Sequence, residues 1–295
     1  MEVIKINGLT KIYGQNIGIE NINLEIKEGE IFGFIGPNGA GKSTTIKTLL
    51  NFIYPTEGEA FIYDKDIVKE SEKIKRFTSY VPSEVRYYRE VNVKDILDYA
   101  MSFFNNCNKE YLNELCKELE VDLNKKIGEL SLGNKKKVAI VQALISEPKV
   151  IILDEPTNGL DPLIQQKLFK ILLKEKSKGK TIFLSSHNLS EVERFCDRVA
   201  IIKKGKIVDI LDLKNIDRDL GKRIKITSKD LDIDVIKIVS DNLKITEDGV
   251  EFIYKGDINE LIKILSNYRL DKLLIEEVRL EESFLNYYGE DKIWY

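Results

Sequence analysis

The sequence predicts an α/β fold built on a largely parallel sheet, followed by a smaller α+β unit of ferredoxin-like order. Three observations carry this. A short apolar strand, Ile31–Ile35, runs into a glycine-rich turn and then a helix starting near Lys42. Apolar runs at Phe77–Val81, Val150–Leu153 and Thr181–Leu184 alternate with segments whose apolar residues recur at three-and-four spacing, the signature of β-α repeats. From about Gly221 the texture changes to short strands and helices in the order β-α-β-β-α-β.

Taken in order, residues 1–30 alternate as strands. Ile4 and Ile6, then Ile17, Ile19, Ile22, Leu24 and Ile26, mark a buried face, broken by turns at Asn7-Gly8 and Glu28-Gly29. Tyr13, in Lys11-Ile12-Tyr13-Gly14, is an aromatic that either stacks on a nucleotide base or simply packs. The next stretch, Glu30–Leu50, holds Gly36, Pro37, Asn38, Gly39, Ala40, Gly41, Lys42, Ser43 and Thr44, and fits G-x-x-x-x-G-K-[ST] without a mismatch. Glycines at 36, 39 and 41 let main-chain N–H groups approach an anion, and the following helix adds the positive end of its dipole. Lys42 is placed to reach the β- and γ-phosphates and the Ser43 hydroxyl to ligate Mg²⁺, so the stretch is read as binding a nucleoside triphosphate.

Beyond it, Tyr54–Gly58 reads as a turn and Ala60–Tyr63 as a strand. Phe77–Val81 ends at Pro82, before the polar, aromatic-rich Ser83–Tyr88. Two amphipathic helices follow, Val93–Phe104 and Glu110–Leu119, whose aromatics Tyr99, Phe103, Phe104 and Tyr111 are read as core, with an exposed subset as a docking alternative. Ser131 is a natural N-cap for the helix carrying Val138, Val141, Leu144 and Ile145, and Lys135-Lys136-Lys137 is read as its solvated face. A helix runs from Pro162 to about Lys178, and Phe195–Ile202 with Lys206–Leu211 form a closing strand pair. In the last unit, strands are expected at Arg223–Thr227, Leu243–Thr246, Val250–Tyr254 and Leu273–Val278. Helices are expected at Ile233–Val239, Asp257–Leu265 and Glu281–Tyr288.

Ligands of parallel sheets sit beyond the carboxyl ends of the strands. Three strands end there in chemistry: the phosphate loop, Asp154-Glu155 and His187. An apolar strand delivering Asp154 suits Mg²⁺ coordination, and the adjoining Glu155 suits polarising a water. The plainer reading of that pair is a helix cap before Pro156. His187 is the only histidine in the chain, and its strand-end position argues for a task.

Composition sets the outer bounds. The 295 residues suggest two domains; with 43% hydrophobic and 32% charged residues the composition is that of a globular protein. Lys+Arg 46 against Asp+Glu 49 makes no electrostatic case for gripping nucleic acid, and none is expected as a partner. Cys107, Cys116 and Cys196 are odd in number and lack C-x-x-C spacing, as free thiols of a reducing compartment do. No leader-like segment follows Met1, and no window reaches the ~18 uncharged residues of a membrane span. Any membrane task would run through a partner.

The ordered set of motifs resembles the ATP-binding cassette (ABC) ATPases over about residues 1–215. GPNGAGKST is similar to the Walker A motif of that family, VIILDE to Walker B, and NGLD (Asn158–Asp161) to the D-loop. SSH (Ser185–His187) is similar to the switch histidine, and LSLGN, carrying Ser131, Leu132, Gly133 and Asn134, to the signature. The resemblance implies a P-loop NTPase of the ABC type, with a mixed sheet core, a helical subdomain at about 84–147, and an accessory domain at 221–295 after a linker near Leu211–Leu220. It implies ATP and Mg²⁺ as cofactors, Tyr13 on adenine, Asp154 on the metal, Glu155 as general base and His187 on the γ-phosphate. It implies Ser131 and Gly133 reaching the ATP of a second copy, in a homo- or heterodimer. Two departures stand out: Leu132 and Asn134 replace the family's Gly and Gln, and Ser83 replaces the Q-loop Gln, leaving Ser83 or Glu84 in its place. The tail Leu280–Leu285 resembles the drug- and bacteriocin-export branch, whose ATPase is a separate polypeptide on the cytoplasmic face of the membrane beneath a permease. There Ser83–Phe104 would receive the permease. The alternatives are a non-transport ABC ATPase and an ATP-binding regulatory module.

Overall fold

The first two strands, β1 (Glu2–Tyr13) and β2 (Asn16–Lys27), pair antiparallel and bury Ile4, Ile6, Ile19, Ile22, Leu24 and Ile26. The three-residue step from Ile19 to Ile22 is absorbed at Asn21, which takes φ +50. Ile17 departs from its expected burial and is 55% exposed, because it lies at the hairpin end, past register shifts at Lys11 and Ile12. After β3 (Ile31–Ile35), strands β4 (Glu57–Ile62) and β5 (Lys65–Asp66) complete a separate sheet of order β2-β1-β4-β5. These strands therefore do not extend the parallel sheet. The turn between β4 and β5 places Tyr63 and Asp64 at positive φ, a hairpin not anticipated from the sequence.

The parallel sheet contains β3, β6 (Thr78–Val81), β7 (Val150–Asp154), β8 (Thr181–Ser186), β9 (Arg198–Lys203) and β10 (Lys206–Asp212), in the order β10-β9-β3-β8-β7-β6. Strand β3 pairs in parallel with β8 and β9, and β7 with β6 and β8. Every residue of β3, β7 and β8 is buried, as expected of strands covered on both faces. Phe32, Phe34, Ile152 and Phe183 join the core shared with the antiparallel sheet. Gly33 faces the other way, where a Cβ would lie 2.8 Å from Val192 Cγ1.

The helices of this unit are α1 (Lys42–Leu49), α2 (Ser71–Lys75), α3 (Val93–Met101), α4 (Lys109–Glu118), α5 (Leu132–Leu144), α6 (Pro162–Ser177) and α7 (Leu189–Phe195). Phe195 thus ends a helix capped by Asn188 instead of opening a strand, and its ring stacks on Phe169 at 4.0 Å. Two further readings are corrected here. Tyr99 and Phe103 are 68% and 66% exposed, stacked edge to face at the end of α3, whereas Tyr111 is buried with its hydroxyl on Glu175 at 2.9 Å. The lysine run is not a solvated face: Lys136 is 0% and Lys137 8% exposed. Helix α5 is buried nearly all round, so its second turn has no water-facing side to offer them.

The chain divides into two units, Met1–Ile210 and Leu211–Tyr295. In the second, β11 (Lys222–Thr227), α8 (Ile233–Val239), β12 (Asp241–Thr246), β13 (Gly249–Tyr254), α9 (Ile258–Leu265) and β14 (Lys272–Glu277) follow the ferredoxin-like order. The sheet runs β12-β13-β11-β14 over a core of Ile224, Ile226, Ile236, Phe252 and Leu261. The structure is a computed structural model, and it describes residues 1–104, 108–214, 221–228 and 230–277. Cys107, most of the expected linker, the helix over Glu281–Tyr288 and the Leu280–Leu285 stretch lie outside the described residues. Cys116 and Cys196 are buried free thiols. No helix among the described residues is long and apolar enough to cross a membrane.

Candidate active site

Strand β3 ends against β9, and the loop that follows is held so close that only glycine fits at its first position. A Cβ at Gly36 would lie 2.4 Å from the Ile202 carbonyl oxygen. At the other end, Gly41 takes φ +112 and caps α1 without a side chain, leaving the first-turn amides of the helix for an anion. Asn38 and Gly39 are exposed at the loop tip, Ala40 is buried, and Pro37, Ser43 and Thr44 are half-buried. The Lys42 side chain is folded inward and 5% exposed: Nζ donates to the carbonyls of Gly36 (2.6 Å) and Pro37 (3.2 Å) and pairs with Glu155 Oε1 at 3.0 Å.

Glu155 follows β7 directly and takes φ +50, a backbone position that costs a non-glycine residue about 1 kcal/mol or more. Its N–H reaches both the carbonyl and the hydroxyl of Ser185, at 3.2 and 3.1 Å. Its second carboxylate oxygen meets His187 Nδ1 and accepts from Asn158 Nδ2 at 3.1 Å. Burial pushes the Glu155 carboxyl up, but the Lys42 charge and the Lys42 and His187 hydrogen bonds outweigh it and hold the group below the usual range. The ends of β3, β7 and β8 therefore converge on one cluster: Lys42, Glu155 and His187.

Asp154 is fully buried, and its Oδ1 accepts from Ser185 Oγ at 2.6 Å while Oδ2 has no hydrogen-bond partner. A buried carboxylate oxygen left unmatched is a costly feature that an arriving cation satisfies. Together with Ser43 on the first turn of α1, this donor set fits a hard divalent ion such as Mg²⁺. The pair Asp154-Glu155 caps no helix; Asp161 does, accepting from the amides of Leu163 and Ile164 at 3.1 Å.

Ser131 caps α5, accepting from the Asn134 amide at 3.2 Å, and Leu132 is the helix's first residue, 60% exposed. Gly133 packs on the segment that follows Glu155: a Cβ there would lie 2.2 Å from the Gly159 carbonyl oxygen. Among the described residues, none of Ser131, Leu132, Gly133 and Asn134 bonds to the phosphate loop, Glu155 or His187. Tyr13 also stands apart, 46% exposed with Lys11 Nζ 5.3 Å from its ring centre. Glu84 is exposed and paired with Arg86 at 2.9 Å, so its carboxylate is engaged at the surface and not at the cluster. Ser83 presents its carbonyl to Lys136 Nζ at 2.7 Å.

Sequence reasoning missed three participants. Ser185 and Asn158 sat inside quoted motifs without a task. Lys136 was concealed by its lysine neighbours; burial lowers its amine to about 8, against the upward pull of Asp154 and Glu155.

With this geometry in view, the relatives are informative. The ABC transporter family profile matches residues 19–158. The chain is 30% identical to the bacitracin transport ATP-binding protein BcrA of Bacillus licheniformis over 97% of each chain. It is 35% identical to an ABC transporter ATP-binding protein of Methanocaldococcus jannaschii, covering 93% of this chain and 98% of that one. Among solved structures, an ATP-binding subunit of an ABC transporter superposes with TM-score 0.68 at 32% identity, over 74% of this chain and 92% of the other. A dimeric ATP-binding cassette in a post-hydrolysis state with ADP and Pi gives TM-score 0.66 at 28% identity, over 71% and 98%. The phosphate loop, the buried Asp154-Glu155 pair and the strand-end His187 thus sit in a chain that belongs to the ABC transporter family, as its ATP-hydrolysing, ATP-binding subunit.

Proposed function

We propose that this chain energises an exporter of drug-, peptide- or lipid-like compounds, working on the cytoplasmic face of a membrane beneath a separate permease. Two such subunits, identical or different, close around two ATP molecules. The observation that carries the reading is the contact of Glu155 with both Lys42 and His187 where three parallel strands end. Lys42 swings from Glu155 to the β- and γ-phosphates when ATP enters the loop. That frees the Glu155 carboxylate to take a proton from the attacking water, with His187 and Asn158 holding its other oxygen in place. Ser43 and Asp154 would hold Mg²⁺, which would supply charge neutralisation at the phosphates. Ser131 Oγ and the Gly133 amide of a second copy complete the γ-phosphate cradle; Leu132 starts α5 without a positive φ, so its side chain strains nothing there.

Support for a membrane partner comes from a groove of about 420 Å³ lined by Tyr80, Val85, Tyr87, Tyr99, Phe103 and Gln142. Its exposed aromatic pair suits an amphipathic helix from a permease loop. Support for export of drug- or peptide-like cargo comes from the bacitracin transport relative and from a probable multidrug relative in Escherichia coli, 32% identical over 70% of this chain and 36% of that one.

The Glu155→Gln variant tests the reading. It is expected to bind ATP, lose turnover by about 100-fold or more, and accumulate as an ATP-dependent dimer in size-exclusion chromatography. A monomeric Glu155→Gln protein with full turnover contradicts the mechanism.

A further inference from the structure

One buried charge has no part in nucleotide binding as described above. Lys136, on the second turn of α5, is fully enclosed. Its Nζ donates to the main-chain carbonyls of Pro82 (2.8 Å), Ser83 (2.7 Å) and Glu155 (3.2 Å). An ammonium has three N–H donors and no acceptor, so these contacts use it completely. All three acceptors lie just past the ends of adjacent strands β6 and β7.

The Glu155 carbonyl is a telling acceptor. Glu155 holds a left-handed backbone next to Pro156, a conformation that persists only where its surroundings enforce it. Ser185 fixes the N–H side of the residue, and Lys136 fixes the carbonyl side. The Pro82–Ser83 loop and the end of the catalytic strand meet through the Lys136 ammonium, which holds carbonyls of both. The same helix carries Ser131 at its cap, so one side chain ties α5, the Pro82–Ser83 loop and the Glu155 main chain together.

We infer that Lys136 is a positioning residue for ATP hydrolysis: by clamping the Glu155 carbonyl to the Pro82–Ser83 loop and to α5, it holds the Glu155 carboxylate in its reacting pose. The inference rests on Glu155 being the general base. Lys136 touches no substrate atom. It acts through the peptide it holds.

The test compares Lys136→Met, which keeps the stem and removes every donor, with Lys136→Gln, whose amide can bridge two carbonyls, in the full-length protein with ATP and Mg²⁺. The Met variant is expected to keep its ATP dissociation constant within about twofold while kcat falls about 10- to 100-fold. The Gln variant recovers part of that loss. Amide exchange at 83–85 and 158–160 speeds up in the Met variant while the rest of the chain is unchanged. A Met variant with wild-type kcat overturns the inference. So does a parallel loss of binding, turnover and chain-wide exchange protection, the mark of a purely structural lysine. Should the Met variant fail to fold, the Gln variant is read against the same outcomes: reduced kcat with intact binding supports the inference, and wild-type kcat or a parallel loss overturns it. Glu155→Gln assayed alongside separates the two claims. If it loses turnover while Lys136→Met keeps it, only the Lys136 role falls; if it turns over normally, the general-base reading falls and the Lys136 role with it.

Discussion

Lys42 and Lys136 make an instructive pair. Lys42 opens α1 and Lys136 lies on the second turn of α5; both are nearly inaccessible, and both hold three oxygen atoms just past the ends of the parallel strands. One of Lys42's partners is a carboxylate, which an incoming phosphate can replace charge for charge. Lys136's partners are three neutral carbonyls of its own chain, which no ligand replaces. The glycines around Lys42 keep its loop open to an anion; the residues around Lys136 close it in. On the roles proposed above, the same ionic group is a ligand hand in one setting and a clamp in the other, and the difference lies in whether its partners are exchangeable.

The sharpest way to break this comparison is Lys42→Ala, which removes the exchangeable contact. ATP affinity is expected to fall about 100-fold, read by titration with a fluorescent ATP analogue; normal affinity would mean that Lys42 is no more a ligand hand than Lys136 is. A smaller effect is expected at Gly133→Ala, because the new methyl collides with the Gly159 carbonyl beside the Glu155 segment. Turnover should fall with a stability loss of about 1–3 kcal/mol, measured by ATPase assay and thermal melt. Tyr13→Ala is expected to weaken ATP by about 5-fold and to leave kcat at saturating ATP alone. Unchanged ATP affinity in that variant would assign Tyr13 to packing.

The smallest effect is a titration. Because Glu155 is held below its ordinary value of 4.5, its stabilising charge is present above that value and lost as pH falls through the lowered one. The Glu155 contribution to the acid limb of the kcat/KM profile should therefore fall below 4.5. Lys42→Ala should move the acid limb upward, since the first of the lowering influences on Glu155 is gone. An acid limb that does not move in that variant would show that the Lys42–Glu155 contact contributes nothing in solution.

What could be read from the sequence follows the same physics. The phosphate loop was legible because its glycines, lysine and serine are dictated locally by strand, turn and helix in succession. Strands β7 and β8 were legible because a doubly covered strand carries an unbroken apolar run, here Val150–Leu153 and Ile182–Leu184. The second unit's strand and helix order was legible from Asp248-Gly249 and its alternating flanks. Lys136 was not, because hydropathy weighs a charge by its type, and only the fold reveals three carbonyls waiting in the interior. Tyr99 and Phe103 failed in the opposite sense: apolar spacing marks a helix face without saying whether this chain covers it. Phe195 was drawn into a strand because the aromatic before Cys196 continues the apolar run, while the Asn188 cap that starts α7 lies seven residues upstream.

The most direct measurement is a structure of the Glu155→Gln protein with ATP and Mg²⁺. The expected result is a closed pair in which the terminal phosphate bound by Lys42 of one copy also meets Ser131 Oγ and the Gly133 amide of the other. A closed assembly whose terminal phosphate touches one chain alone would contradict it.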